Sequence, residues 1–136
     1  MAKMNIPSLR CKIEILCPVN PSEDPNKVKS AISNIFPNYE IKIEKFSIKG
    51  NSNDLHSLEK IYHAIDSSQS ERIYQRRLEK NLKNDSTWFY LNKQAAFAEK
   101  IAICEESDES PLGPIKVILT STQIDRVIDW LIHYEE

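Results

Sequence analysis

The sequence predicts an α+β fold, a mainly antiparallel sheet layered with helices in the order β-α-β(β)-α-α-β-β-β-α. Three observations predict it. Two-residue alternation, as in Cys11, Ile13, Ile15 and Cys17 against Lys12 and Glu14, marks half-buried strands. Apolar stripes at helical spacing, as in Val28, Ala31, Ile32, Ile35 and Phe36, mark amphipathic helices. The last strands follow one another in a run before a final helix, the order of an α+β layer pair.

The chain of 136 residues is expected to form a single domain over 1–136, with residues 1–9 a loose N-terminal arm. A chain of this length buries roughly two-thirds of its unfolded surface, enough for its own core. Hydrophobic residues at 40% and charged residues at 28% are values of a globular protein. No apolar run approaches the roughly 18 residues of a membrane span, and the first ten residues lack the apolar centre of a secretory signal. A soluble, cytoplasmic protein with no membrane partner is the expectation.

Taken in order, the first strand covers 10–18 and ends at Pro18 and Pro21. Asp24 before Pro25 is an N-cap followed by a favourable first helical residue, and Pro37 closes that helix by disfavouring the helical conformation at Phe36. Tyr39 to Ile43 alternates again with Glu40, Lys42 and Glu44 outward, and Phe46-Ser47-Ile48 either continues this strand or folds back as a partner. Gly50-Asn51-Ser52-Asn53 reads as a turn. Leu55, Leu58, Ile61, Tyr62 and Ile65 mark a second helix that stops near Asp66. A third runs from about Ser70 to Asn84 on Tyr74, Leu78 and Leu82.

Trp88 to Leu91 ends a strand, Asn92-Lys93-Gln94 forms a polar corner and Ala95-Ala96 a turn, and a hairpin partner follows near Lys100 to Cys104. The acidic loop Glu105 to Glu109 then leads through the Ser110-Pro111-Leu112-Gly113-Pro114 turn into a strand with Ile115, Val117 and Leu119 inward. Its outward Ile118 is less polar than a solvated face requires, which suggests a covered face. Thr120-Ser121-Thr122-Gln123 resembles a capping box, and Ile124, Val127, Ile128 and Leu131 stripe the last helix, with Trp130 and Tyr134 beside them.

The runs Asn92-Lys93-Gln94-Ala95-Ala96 and Ser110-Pro111-Leu112-Gly113-Pro114-Ile115 resemble the signature of a small, mainly archaeal family of predicted RNA-binding proteins. Most of the remaining chain matches that family more weakly. The resemblance implies an α+β fold like that of the large-subunit ribosomal protein five and RNA as a partner. It implies no reaction and no cofactor.

The residues themselves place a basic ridge on the third helix. At 100° per residue, Arg72, Arg76, Lys80 and Lys83 fall within an arc of about 80°, opposite Tyr74, Leu78 and Leu82. Between Gln69 and Cys104 seven Lys or Arg (Arg72, Arg76, Arg77, Lys80, Lys83, Lys93, Lys100) stand against four acids (Glu71, Glu79, Asp85, Glu99), in a chain whose net charge is −2. Guanidinium groups bind phosphate oxygens bidentately and displace condensed counterions, so such a ridge suits a phosphate backbone. The plainer alternative is a solvated face with Glu79 paired to Lys83. Lys93 and Gln94 are added as hydrogen-bonding contacts, because a polar corner alone does not demand them.

Trp88-Phe89-Tyr90-Leu91 offers aromatic stacking for unpaired bases, but strand alternation must bury at least one set, which favours a core or subunit-contact role. Catalytic arrangements are missing from the sequence. There is no GxSxG, no cysteine beside a histidine and, with Gly50 and Gly113 the only glycines, no phosphate-cradling loop. Cys11 and Cys17 are about 20 Å apart along one strand and cannot bridge, though either is free to approach Cys104; all three read as buried small hydrophobes. His56 and His63 lie about 10 Å apart on one helix, too far to share a metal. The acidic loop reads as solvated rather than metal-binding. The expectation is a non-enzymatic binding protein without cofactor, metal or small-molecule substrate. Two compatible readings follow: a module for structured RNA, and a homodimer built on the aromatic strand and Ile118 that would join two basic ridges.

Overall fold

The computed structural model describes residues 6–37, 39–106, 109–110 and 112–133. In chain order they form β1 (Lys12–Pro18), α1 (Pro25–Ile35), β2 (Glu40–Ile43), β3 (Ser47–Ser52), a 3-10 turn (Leu55–Leu58), α2 (Glu59–Ser67), α3 (Glu71–Lys80), β4 (Ser86–Leu91), α4 (Lys93–Phe97), β5 (Ile103–Cys104), β6 (Ile115–Thr120) and α5 (Ile124–Leu131). The strands make one sheet in the order β2-β3-β1-β6-β4-β5, antiparallel at every junction. The α+β class and the element order expected from the sequence are those of the structure.

Register explains why one face of the sheet carries the core. Ile15 of β1 lies between Gly50 and Val117, and Val117 lies opposite Phe89, so the alternating apolar sets of four strands point the same way. They pack against Val28 and Ile32 of α1, Ile61 of α2, Leu78 of α3 and Val127 of α5 in one cluster. On the opposite face Leu16, Trp88, Tyr90 and Ile118 are half-buried and lie outside that cluster. Ile118, expected on a covered face, is half-buried and is not among the residues packed against the core cluster. Trp88 and Tyr90 take the outward positions, leaving Phe89 and Leu91 to the core.

Capping follows chemistry at several ends. The Asp24 carboxylate accepts from the Asn26 backbone N–H at 2.9 Å and starts α1 with Pro25 in its first turn. Asp54 does the same for His56 at 2.9 Å, starting the 3-10 turn. The second helix expected from Leu55 to Asp66 is therefore this turn followed by α2.

Other expectations are corrected. Gly50-Asn51-Ser52 is strand rather than turn; of the two courses open after Ile43 the chain takes the fold-back, with Ser47 and Ile48 opening β3 against β2. Gly50 is needed because the Tyr39 ring occupies the place of its missing Cβ. The third helix stops at Lys80, not Asn84. Asn84 adopts a left-handed backbone (φ 56), and Lys83 and Ser86 exchange both backbone hydrogen bonds to close a tight turn. Asn92 to Phe97 is not a corner and turn but a capped helical turn, α4. The strand expected over Lys100–Cys104 shortens to two residues, which still pair with β4 as a hairpin.

No capping box forms before α5. Thr120 remains in β6, and the Ser121 hydroxyl accepts from the Gln123 N–H while donating to the Arg10 carbonyl. Of the expected arm 1–9, residues 6–9 are described, and Ile6 and Leu9 lie against the core. Asp108 of the acidic loop, Pro111 of the Pro-Gly turn and Tyr134 lie outside the described residues. Among those described, no helix is long and apolar enough to cross a membrane.

The close seating of Tyr39 over Gly50 makes a specific demand. Gly50→Ala is expected to lower unfolding free energy in urea by about 1–3 kcal/mol, the usual range for overpacking. Adding Tyr39→Ala should cancel part of that loss, as a double-mutant cycle would record.

Candidate nucleic-acid interface

Helix α3 is held to the sheet by its inner face. Tyr74 and Leu78 are buried, and the Tyr74 ring meets Phe89 edge-on at 5.6 Å. The Thr87 hydroxyl donates to the Leu78 carbonyl at 2.6 Å, and the Asn81 amide donates to the Trp88 carbonyl at 2.8 Å. These contacts use the side of α3 opposite its cations. They therefore fix the rotation of the helix and leave Arg72, Arg76 and Lys80 exposed, with Arg77 half-buried on the flank.

None of these four side chains, nor that of Lys83, makes an ion pair among the described residues. Glu79, the acid that the sequence would pair with Lys83, instead accepts from the Gln75 amide at 3.2 Å. Lys83 is exposed, but it stands in the tight turn after the helix and not on the helical arc. The ridge thus consists of Arg72, Arg76 and Lys80 in three consecutive turns, with Arg77 and Lys83 at its margins.

Lys93 and Gln94 are not part of it. They open α4 beyond the far end of β4, about 20 Å along the strand from Lys83, and α4 packs on α1 through a hydrogen bond from the Asn34 amide to the Ala96 carbonyl. Gln94 is exposed. Lys93 is 0% exposed, so its assignment as a contact is corrected by its burial. Its ammonium donates to the Pro18 carbonyl at 2.7 Å, the Leu112 carbonyl at 2.9 Å and the Glu23 carboxylate at 3.0 Å. Those three bonds use all the donors an ammonium has.

The motif residues around it complete this arrangement. Asn92 caps α4 by accepting from the Ala95 N–H at 3.0 Å. Ser110 accepts from the Lys93 N–H at 3.0 Å and donates to the Gly113 carbonyl at 3.1 Å. Leu112 is held in a left-handed conformation (φ 65), and Gly113 follows at φ 95 with the Pro18 ring where a Cβ would be. Asn20 donates its amide to the Leu112 carbonyl at 2.7 Å and both its N–H groups to Glu23 at 3.0 Å. Sequence reasoning missed Asn20 and Glu23. Their available signal was a second acid beside the Asp24 cap, in the loop after β1, that the cap itself does not need.

Burial pushes the Glu23 carboxyl up, but the bonds from Asn20 and Lys93 and the Lys93 charge outweigh it and hold the group below the usual range. Burial pushes the Cys11 and Cys17 thiols up to about 11, which keeps them protonated at neutral pH. All three cysteines are free, and β6 and β4 separate β1 from Cys104 in β5. His56 binds Asp54, and His133 contacts the Tyr62 carbonyl and ring. Among the described residues no three His, Cys, Asp or Glu side chains are grouped to hold a metal ion.

A family model described as RNA binding matches residues 12–121. A UPF0201 protein of Methanothermobacter thermautotrophicus is 38% identical over 120 residues, covering 88% of this chain and 89% of that one. One from Sulfurisphaera tokodaii is 40% identical over 124 residues, covering 88% and 86%. The crystal structure of a UPF0201 protein from Methanococcus jannaschii superimposes with a TM-score of 0.78 at 28% identity, covering 92% of this chain and 95% of that one.

Truncating Lys93 would strand a buried carboxylate and two carbonyls. Lys93→Met is therefore expected to lose about 3–5 kcal/mol in urea unfolding, with the α3 surface unaffected. Because the Glu23 carboxyl is depressed in the folded state, its contribution is complete above the unfolded-state value near 4.5 and is lost as pH falls through the lower folded value. Stability measured from pH 6 downward should fall more steeply in the native protein than in Glu23→Gln, which lacks that titration.

Proposed function

The chain belongs to the RNA binding family whose model matches residues 12–121, and from that premise we propose that it binds structured RNA through the outward side of α3, without catalysing a reaction. The observation that carries the reading is the ridge of Arg72, Arg76 and Lys80, exposed on a ten-residue helix and free of ion pairs among the described residues. A cation already paired to an acid must give up that partner to meet a phosphate; these need not. The arrangement supports contact with a backbone rather than with base edges, because it offers charge along a line.

Arg77 and Lys83 extend the charged margin toward the start of β4. Gln94, on α4, lies outside this line, and Lys93 is committed to the interior. The likeness to ribosomal protein five implied by the sequence motifs belongs to the same reading. An overall charge of −2 makes the local ridge, rather than the whole molecule's field, the source of attraction.

Binding of a fluorescent RNA hairpin, titrated from 50 to 200 mM salt, tests this. Wild type should weaken steeply as salt rises. Changing Arg72, Arg76 and Lys80 together to Gln should lower affinity at least tenfold and flatten the log–log salt slope by about two to three, roughly one per lost phosphate contact. Equal slopes for the two proteins would remove the ridge from the interface.

A further inference from the structure

The face of the sheet opposite the helices carries a second arrangement that the helical ridge does not use. Trp88 and Tyr90, two residues apart on β4, both point to it with ring centroids 4.8 Å apart. Lys116 on β6 is Tyr90's register partner, and its ammonium stands 4.6 Å from the centre of the Trp88 ring. The same register runs on through Leu16 and Lys49 to Lys42. At about 4.8 Å per strand that line is roughly 19 Å long. It reads aromatic, cation, apolar, cation, cation.

Two acids on this face lie in the next line, and a third, Glu44, reaches Lys49. Glu40 and Glu14 occupy it with Asn51, Ile118 and Trp88. Glu14 is already paired with Lys12 at 3.9 Å, and Lys49 with Glu44 at 3.6 Å. Lys42 and Lys116 make no ion pair among the described residues. An occupant of this line therefore meets the half-buried Trp88 and Tyr90 rings at one end, with the Lys116 ammonium over Trp88, and the unpaired Lys42 at the other.

We propose that this open face takes an unpaired stretch of RNA, with bases stacked on Trp88 and Tyr90 and the backbone led across the sheet by Lys116 and Lys42, Lys49 joining them only by giving up Glu44. Stacking needs rings that are held rigid, and β4 holds these because Phe89 and Leu91 between and beyond them are locked in the core; a base that stacks on Trp88 takes the ring face from the Lys116 ammonium, which then meets the adjoining phosphate. Every base has a π-face, so the preference is for single-stranded RNA rather than for a sequence. A second copy of this chain is the less favoured occupant: seating it there would take Lys116 and Lys42 out of water with no acid in their own line to receive them. The inference rests on the reading of the chain as an RNA-binding protein and adds the class of RNA taken by a second surface.

The test uses the full chain with two probes, a labelled unstructured 12-nucleotide RNA and a labelled fully paired hairpin. Trp88→Leu with Tyr90→Leu, which keeps the face apolar, should cost about tenfold or more on the unstructured RNA, the effect of losing one or two stacked bases, with less than twofold on the hairpin. Lys116→Gln, which disturbs packing least, should weaken the unstructured RNA several-fold. Tight hairpin binding with unchanged affinity for the unstructured RNA in both variants would overturn this inference and leave the α3 reading intact. If wild type bound neither probe, both would fall. A sedimentation dimer of wild type that Trp88→Leu with Tyr90→Leu converts to monomer would assign the face to a second copy and overturn the proposal.

Discussion

A single buried ammonium organises the end of the molecule where three chain segments meet. Lys93 reaches from the start of α4 to the last carbonyl of β1, to Glu23 in the loop that follows, and to the Leu112 carbonyl before β6. Taking an ammonium out of water costs several kcal/mol, so it is tolerated only where its donors and its charge are all answered. Here they are, by two carbonyls and a carboxylate that Asn20 also holds. The left-handed Leu112 and the side-chain-free Gly113 follow from the same requirement. Leu112 aims its carbonyl inward at Lys93 and Asn20, and Gly113 lets Pro18 close over the turn.

This explains why two polar motifs seventeen residues apart belong to one piece of structure. Ser110 bonds the Lys93 backbone, so the Asn-Lys-Gln and Ser-Pro-Leu-Gly segments are two halves of one hydrogen-bonded joint. Their polarity serves the interior. The proposed binding surfaces lie elsewhere: the cations of α3 on the helical side, and Trp88, Tyr90 and Lys116 on the open face of the sheet. The core cluster separates these two surfaces, and β4 supports both, with Phe89 against α3 and its neighbours outward.

The fold was legible where local chemistry and periodicity agreed. Asp24-Pro25 with the Val28–Ile35 stripe marked α1, and the alternation of Cys11 to Cys17 marked β1. It was illegible where a tertiary neighbour decided. Gly50 looks like turn chemistry until the Tyr39 ring is seen to fill its missing side chain. Leu82 continues the helical stripe of α3, yet Asn84 turns the chain left-handed just beyond it. Trp88 and Phe89 are equally apolar, so only register against β6 says which faces out. The cations of α3 could be read from spacing, because a helix rotates them to one side whatever it packs against. Lys93 could not, since patterns of apolar and charged residues assign every lysine to the surface, and its three acceptors arrive from 19 to 75 residues away.

The division between an interior lysine and working surface cations is open to one direct measurement. Brief acylation of the native protein with a lysine-reactive reagent, with and without structured RNA, can be read residue by residue by peptide mass. Lys93 should stay unmodified in both samples, while Lys80 should react freely alone and be protected when RNA is bound. Modification of Lys93 at the rate of the exposed lysines, or reaction of Lys80 indifferent to RNA, would contradict the account.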